Sequence, residues 1–237
     1  MEMKILVVVP TYNEVGCLER LVDSIFSQGI AGLEVLVVDD ASTDGTSDLA
    51  DALSRRFSGI HVLHRAGKLG LGTAYLDGFR WGLQKDFSHF IQMDADFSHH
   101  PQYLMSMVGF LKTSPVVVGS RYVSGGGTLH WSWGRRYLSR FGGMYARWIL
   151  KVPIADFTGG FNGWSRQVLE SLDLSVFRSD GYAFQIELKY RAFQKKFKIF
   201  EFPIIFEDRQ LGESKMSWRI VFEALVRIWG FRCRSRG

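Results

Sequence analysis

Two carboxylates one residue apart follow a short apolar segment near the middle of the chain. Asp94-Ala95-Asp96 comes directly after residues 90–93, which are predicted to form a buried strand. Two carboxylates at a strand end can face one hard cation, because Mg²⁺ and Mn²⁺ prefer oxygen ligands. Such a cation would bind the diphosphate of a nucleotide and neutralise its charge as it leaves. The alternative is a loop of solvated acids before a helix, and an isolated Asp-x-Asp does not separate the two.

Two further polar loops follow apolar segments earlier in the chain, at residues 10–14 (PTYNE) and 39–46 (DDASTDGT). The first offers an aromatic ring and a carboxylate to a nucleotide base, and the second offers carboxylates to ribose hydroxyls or ring nitrogens. Each is also compatible with an ordinary helix start or turn. Ligands of parallel sheets bind at the carboxyl ends of the strands, so three such loops at one edge indicate a nucleotide site.

The segments around these loops alternate between strand-like and helix-like patterns. Strands are predicted at residues 4–9, 33–38, 60–63, 90–93 and 116–119, with helices between them. The second half contains a Gly-rich segment at residues 157–164. That half predicts a Gly- and Trp-rich loop at 124–133, helices at 135–150, 183–195 and 217–231, and a strand-like stretch at 198–206. This alternation predicts one α/β domain, with a Rossmann-like, mostly parallel central sheet flanked by helices.

A glycine-rich segment at residues 67–73 (GKLGLGT) invites a phosphate-loop interpretation. Its glycines do not match the dinucleotide fingerprint GxGxxG, and no GK[ST] sequence follows. A hydride-transferring dinucleotide enzyme is therefore not expected.

The net charge of +5 is concentrated in residues 214–237, and the rest of the chain is neutral. A neutral body argues against nucleic acid as a partner. The basic tail, with Trp218 and Trp229, predicts an amphipathic helix in a bilayer interface, which the helix at 135–150 could join. The alternative is a helix docked on the domain. With two distant cysteines and no predicted signal peptide or membrane span, the expected location is cytoplasmic, peripheral on the cytosolic face of a membrane.

Several longer motifs carry a resemblance to a family. The stretches QMDADFSHHP at 92–101, GSRY at 119–122, GYAFQIE at 181–187 and RQLGESK at 209–215 occur in the order seen in polyprenol-phosphate (dolichyl-phosphate) mannosyltransferases. The chain resembles this family of inverting GT-A-type glycosyltransferases from residue 4 to about 216. The resemblance implies transfer of mannose from GDP-mannose to a polyprenyl or dolichyl phosphate, with Mg²⁺ or Mn²⁺ as cofactor.

The resemblance also implies a role for each matching position. The nucleotide sugar would contact Pro10, Tyr12, Glu14, Asp39, Asp40, Lys68, Asp94, Ala95, Asp96, Arg209 and Lys215. Asp94 and Asp96 would hold the metal, and Arg121, Arg135 and Ser139 the acceptor phosphate. Asp96, Arg121 and Arg135 would be catalytic. No general base is expected, because a phosphate acceptor is already anionic. Some members place Gln where this chain has Ser98, which leaves the third protein ligand of the metal open.

The resemblance leaves several alternatives. The donor could be another nucleotide sugar such as UDP-glucose, and a non-catalytic membrane-associated binding module is a further reading. We expect a catalytic domain at residues 1–213, with a nucleotide-sugar half to about 120 and an acceptor half from 121, and a basic helix at 214–237. A separate membrane-anchor subunit is a possible partner.

Overall fold

The computed structural model describes residues 3–177, 179, 181–207 and 228–232. The strands in this part of the chain are β1 (Ile5–Thr11), β2 (Leu33–Asp39), β3 (Ile60–His64), β4 (His89–Gln92), β5 (Val116–Ser120), β6 (Gly127–Leu129), β7 (Asn162–Ser165), β8 (Ile199–Pro203) and β9 (Ile205–Glu207). The helices are α1 (Val15–Phe26), α2 (Thr46–Arg56), α3 (Leu71–Leu83), α4 (Leu104–Leu111), α5 (Trp133–Leu150), α6 (Arg166–Ser171) and α7 (Gly181–Gln194).

Seven strands form the central sheet in the order β3-β2-β1-β4-β7-β5-β8. The neighbouring strands are parallel except at β7, which runs antiparallel to β4 and β5. Alternate residues of β1 enter two cores: Val7 and Val9 pack on one side of the sheet, and Leu6 and Val8 on the other. This alternation follows from the two-residue period of a strand covered by helices on both faces. The predicted α/β fold is confirmed.

The sequence analysis missed a strand in two segments of the second half. Residues 157–164 stood out only as Gly-rich, and β7 begins at Asn162 inside them. Its sequence, NGWS, lacks an apolar run because α4 lies unusually close. A Cβ on Gly163 would come 2.7 Å from Met107 Sδ and 2.9 Å from Leu111 Cδ1. The strand therefore depends on a tertiary contact that periodicity does not report.

The second such segment, residues 124–133, contains β6. This strand pairs in parallel with β9 in a separate two-stranded sheet, and Gly127 N donates to Ile204 O at 3.0 Å. Three residues are too few to show a strand pattern. The pairing places Trp131 and Phe206 at the edge of the central sheet, in contact with each other.

Residues 228–232 pack against α5. Residues 228–232 are helical, and Ile228 and Phe231 join the core beneath α5. Trp229 Nε1 donates to Tyr145 Oη at 2.7 Å. This short part of the predicted 217–231 helix is therefore docked on the domain, as in the alternative interpretation of the tail. The rest of that helix lies outside the described residues.

Helix α3 lies close to strand β1 because Gly78, at the contact, has no side chain. A Cβ on Gly78 would lie 2.5 Å from Val8 Cγ1, and valine side chains have little rotamer freedom with which to yield. We expect Gly78→Ala to lower the free energy of unfolding by about 1–3 kcal/mol through overpacking. Gly109→Ala in α4, where nothing lies within 4 Å, should instead raise it by about 0.5–1 kcal/mol. Urea midpoints measure both, and equal midpoints for the two variants would contradict the close approach.

Candidate functional site

One cavity of about 340 Å³ opens at the carboxyl ends of β1, β2 and β4. Most of the residues predicted for the site line it: Pro10, Tyr12, Glu14, Asp40, Lys68, Asp94, Ala95, Asp96 and Arg121. Other lining residues come from the second half of the chain, including Thr158, Gly160, Tyr182, Gln185 and Phe206. The topology thus brings the loops of both halves to one place, although the role of each residue stays a prediction.

Asp94 and Asp96 are held by two neighbouring side chains and one backbone amide. Tyr75 Oη donates to Asp94 Oδ1 at 2.9 Å, and His99 Nδ1 accepts from Asp94 N at 3.2 Å. Asp96 Oδ1 accepts from Ser98 N at 3.0 Å. Complete burial lowers the pKa of His99, so the imidazole is neutral at pH 7, and its Nδ1 is committed to the Asp94 amide.

The donor set here fits a hard cation held partly by its substrate. Asp94 and Asp96 both line the cavity, and the described residues contain no group of three or more His, Cys, Asp or Glu suited to a metal. Mg²⁺ commonly takes one or two carboxylates and completes its shell with substrate phosphates and water. His99 does not supply a third ligand through Nδ1, and Ser98 is buried beside Asp96. Two carboxylates therefore match a cation that arrives with a diphosphate.

The two aspartates after β2 have different surroundings. Asp39 is fully buried and lies outside the cavity wall, and it accepts hydrogen bonds from Thr11, Ser42 and Ser47. Burial opposes its ionisation, but these hydrogen bonds lower the pKa of its carboxyl. In this structure Asp39 fixes the loops that surround the cavity rather than facing it.

Asp40 does line the cavity. It pairs with the buried Arg65 and accepts from the backbone amides of Leu69 and Gly70 at 3.2 and 3.0 Å. These amides of the glycine-rich segment are therefore bound to a carboxylate and not presented to phosphate. The segment's cation is Lys68, whose Nζ lies 3.9 Å from the ring centroid of Tyr12. This contact places a positive charge at the cavity wall.

A buried ion pair forms another part of the wall. Arg121 Nε and Nη2 each donate to the Asp156 carboxylate at 2.7 Å, and Nη2 also donates to Thr158 Oγ1 at 2.8 Å. Burial alone would raise the pKa of Asp156, but the Arg121 charge and hydrogen bonds lower it to about 2. Burial likewise opposes the charge on Arg121, while Asp156 raises its pKa above the ordinary value. Both groups therefore stay ionised inside the protein.

Sequence reasoning assigned no role to Asp156 or to Lys189 on α7. The buried Lys189 ammonium donates to Phe157 O at 3.1 Å and Gly159 O at 2.7 Å, which ties α7 to the loop carrying Asp156. Burial, and then the charge of Arg121, lower the pKa of Lys189 to about 7, against the opposing effect of Asp156. The available signal was a lone lysine among the mostly apolar residues 183–192.

The predicted acceptor-phosphate residues are only partly described. Ser139 lies on α5, outside the cavity wall. Its Oγ accepts a hydrogen bond at 2.7 Å from Oη of Tyr122, the residue that follows Arg121 in the sequence. Arg135 lies one helical turn before Ser139 on α5, and its side chain is outside the description. Arg209 and Lys215, predicted to close over the donor diphosphate, also lie outside the described residues.

A family model, Glycosyl transferase family 2, matches residues 6–173. The chain is 40% identical over 237 residues to undecaprenyl-phosphate mannosyltransferase of Micrococcus luteus, covering 99% of this chain and 97% of that one. It is 43% identical over 233 residues to polyprenol monophosphomannose synthase of Mycolicibacterium smegmatis, covering 97% and 88%. The chain belongs to glycosyl transferase family 2. The resemblance to the polyprenol-phosphate mannosyltransferases, inferred from the motifs, is confirmed by these relatives.

Solved structures share the fold at lower identity. A glucosyl-3-phosphoglycerate synthase from Mycobacterium tuberculosis, in complex with Mn²⁺, UDP and phosphoglyceric acid, aligns with a TM-score of 0.70 at 21% identity, covering 99% of this chain and 79% of that one. A mannosyltransferase from Pyrobaculum calidifontis, in complex with GDP-Man and Mn²⁺, aligns with a TM-score of 0.68 at 21% identity, covering 99% and 65%. Both support the predicted GT-A-type architecture. Among the described residues, no helix combines the length and apolarity needed to cross a membrane.

The Arg121–Asp156 pair generates a stability prediction. Asp156→Asn should lower the free energy of unfolding at pH 7 by about 3–5 kcal/mol, because it leaves a buried guanidinium without its counter-charge. The folded-state pKa of Asp156 is depressed, so its contribution is present above pH 4 and is lost as pH falls toward 2. Urea unfolding at pH 7 and at about pH 2.5 measures this. Asp23→Asn, at an exposed position of α1, is the control, and an unchanged gap at the lower pH would refute the assignment.

Proposed function

We propose that this chain transfers mannose from GDP-mannose to the phosphate of a polyprenyl (dolichyl) lipid, with inversion at the anomeric carbon. The observation that carries the proposal is one cavity lined by both the Asp94–Asp96 carboxylates and the buried Arg121 guanidinium. The carboxylates suit a cation with a nucleotide diphosphate, and the guanidinium suits a second phosphate. The two relatives at 40% and 43% identity, both named for this class of transfer, support it.

In the proposed reaction, the enzyme has to orient the acceptor phosphate rather than make it more nucleophilic. An acceptor phosphate oxygen bonds to the anomeric carbon as the bond from that carbon to the diphosphate oxygen breaks, and GDP leaves. The acceptor is anionic at neutral pH, so no side chain has to remove a proton from it. The obstacle is repulsion between two anions, which cationic side chains reduce while they hold the reacting groups in line. We assign this task to Arg121, with Arg135 and Ser139 as further contacts.

Donor binding is assigned to the carboxylate wall, the part of the cavity lined by Asp40, Asp94 and Asp96, and to the loops beside it. Pro10, Tyr12, Glu14 and Asp40 would contact the nucleotide, with Asp39 acting through the loops it fixes. Asp94 and Asp96 would hold Mg²⁺ or Mn²⁺, which supplies charge stabilisation to the departing GDP. Lys68 would reach the donor from the face of Tyr12, and Arg209 and Lys215 would cover the diphosphate.

A transfer assay tests donor, acceptor class and metal together. Purified protein with a short polyprenyl phosphate and Mg²⁺ or Mn²⁺ should move label from GDP-mannose, but not from UDP-glucose, into the organic phase. EDTA should abolish the transfer, and Asp96→Asn should lower it at least about 100-fold, because charge stabilisation of the leaving group is lost. Asp23→Asn should retain activity. Label from UDP-glucose alone would overturn the donor, and EDTA-resistant transfer would overturn the metal requirement.

We also propose that the protein sits peripherally on the cytosolic face of a membrane, where its lipid acceptor resides. Helix α5 supports this, because one face carries exposed large side chains at helical spacing: Trp133, Tyr137, Phe141, Met144 and Trp148. Trp133 is 72% and Trp148 74% exposed. Exposed basic residues flank this face at Arg140, Arg147 and Lys151. An apolar face bordered by cations fits an anionic bilayer interface.

Vesicle sedimentation measures how much α5 contributes to membrane binding, separately from the basic tail. The double change Phe141→Glu and Trp148→Glu should weaken sedimentation with phosphatidylglycerol vesicles at least about tenfold, because two apolar contacts with the bilayer are lost. Both side chains are exposed, so folding should be unaffected. The control is Met105→Glu with Phe193→Glu, exposed positions on α4 and α7. Unchanged sedimentation would overturn membrane contact through α5.

A further inference from the structure

Lys189 places a buried ammonium beside the loop that precedes β7. The residue lies on α7, is fully buried and is not part of the cavity wall. Burying an ammonium is costly unless the group is paired. Of its two acceptors, Phe157 O and Gly159 O, the second also accepts from Asn162 Nδ2 at 3.1 Å. That carbonyl therefore has a donor without the lysine, and the buried charge calls for a further explanation.

The two carbonyls that Lys189 binds lie on either side of Thr158. Thr158 is in the cavity wall, and its Oγ1 accepts from Arg121 Nη2 at 2.8 Å. Because the carbonyl before it and the carbonyl after it are bound to one ammonium, the backbone of Thr158 is held on both sides. Lys189 thus fixes one of the groups that orient the Arg121 guanidinium.

A second connection to Arg121 runs through the Gly159 peptide. Gly159 O accepts from Lys189, and Gly159 N donates to Asp156 Oδ1 at 2.9 Å. The same Asp156 oxygen accepts from Arg121 Nη2 at 2.7 Å. Glycine has an unusually free backbone, so the direction of this peptide depends on its hydrogen-bond partners. Both described acceptors of Arg121 Nη2 are therefore tied to one ammonium.

The loop is held by opposite charges at its two ends. The Glu201 carboxylate on β8 accepts from Ala155 N at 2.7 Å and from Asp156 N at 2.9 Å. The ammonium of Lys189 takes the carbonyls that follow. An anion at the amides and a cation at the carbonyls fix the course of the loop more strongly than neutral groups would, because charge-assisted hydrogen bonds are the stronger ones.

We propose that Lys189 is a positioning residue for the acceptor phosphate: by holding the backbone on both sides of Thr158, its ammonium sets the direction in which Arg121 faces the cavity. The inference rests on the proposed function, which assigns the acceptor phosphate to Arg121. Lys189 lies outside the cavity wall, so it acts through the loop and not on substrate. Its loss should therefore impair use of the acceptor and spare donor binding at the carboxylate wall.

Steady-state kinetics at pH 6 separate positioning from stability. Lys189→Met keeps a long side chain without donors or charge. It should raise the KM for a short polyprenyl phosphate at least about tenfold and leave the KM for GDP-mannose within about twofold. The control is Leu188→Ala, at a buried position of α7 in another core. It should lower the thermal midpoint by leaving a cavity, but change neither KM. Equal changes in both KM values, or a change in kcat alone, would overturn the positioning role.

A conservative variant guards against a methionine variant that does not fold. Lys189→Gln keeps N–H donors without the charge. It should raise the acceptor KM less than Lys189→Met does, because part of the hydrogen bonding to the two carbonyls is retained. It also takes the place of Lys189→Met in the tests below where thermal midpoints show that the latter is unfolded. An acceptor KM equal to that of the unsubstituted protein would contradict the proposal.

The pH dependence tests the ammonium itself. Burial lowers the pKa of Lys189 to about 7, Arg121 acts in the same direction, and Asp156 and Glu201 oppose them. The core residues that α5 contributes beside this part of α7 are apolar: Ala146, Ile149 and Leu150. The charge is present below pH 7 and is lost above it. The ratio of the acceptor KM of Lys189→Met to that of the unsubstituted protein should thus fall from at least about tenfold at pH 6 to about threefold at pH 8.5. Taking a ratio removes the titration of the acceptor phosphate, and a constant ratio would overturn the role of the ammonium.

Hydrogen exchange at Arg121 tests the positioning without any substrate. Its Nε–H, which donates to Asp156, gives a nitrogen–proton NMR signal that is assigned by its absence in Arg121→Lys. Lys189→Met should accelerate exchange of this N–H at least about tenfold, because the loop opens more often, and Leu188→Ala should not. Unchanged exchange would overturn the inference. An unsubstituted protein that does not use polyprenyl phosphate, but whose Arg121 exchange responds to Lys189→Met, would overturn the proposed function and leave the positioning of Arg121 supported.

Discussion

The burial of a guanidinium at the cavity wall is the constraint on which the second half of the structure depends. Arg121 faces the cavity from an almost fully buried position, which is tolerable only because Asp156 neutralises it through two hydrogen bonds. Asp156 is in turn positioned by its own backbone amide, which donates to Glu201 on β8 at 2.9 Å. Under the proposed function, a cation fixed in this way would already be desolvated and oriented before a phosphate binds, so little reorganisation would remain for the reaction.

The carboxylates of the cavity wall are also fixed by their own partners, but they contribute negative charge where Arg121 contributes positive charge. Asp94 and Asp96 follow β4 and are held by a tyrosine hydroxyl and backbone amides. Asp40 uses its charge to pair with Arg65 and to fix the glycine-rich segment. Negative and positive groups thus line one cavity while each stays fixed by its own partners. This arrangement suits the joining of two phosphate-bearing substrates, because each anion meets a separate set of charges.

Helix α7 connects these two parts of the site. Gln185 and Lys189 lie one turn apart on α7. Lys189 binds the loop before β7, and Gln185 contacts Asn162 at the start of that strand. The positively charged part of the wall and the buried amides of Gln92, Asn162 and Gln185 therefore depend on the same helix. A helix buried over most of its surface shows little amphipathic pattern, which is why its polar residues attracted no assignment from the sequence.

The amino-acid sequence by itself determined the first half of the fold, the positions of α5, α7 and β8, and the carboxylate side of the cavity. The apolar runs before residues 10–14, 39–46 and 94–96 predicted parallel strands, and parallel strands place their carboxyl ends at one edge. Tertiary structure alone decided strands β6 and β7 and the partners of the buried polar side chains. Strand β7 forms because Gly163 admits α4, β6 because it meets β9, and the partners of Arg121 and Gln185 lie more than twenty residues away. Local patterns report burial and periodicity, whereas ion pairs and amide clusters depend on which distant residues the packed core brings together.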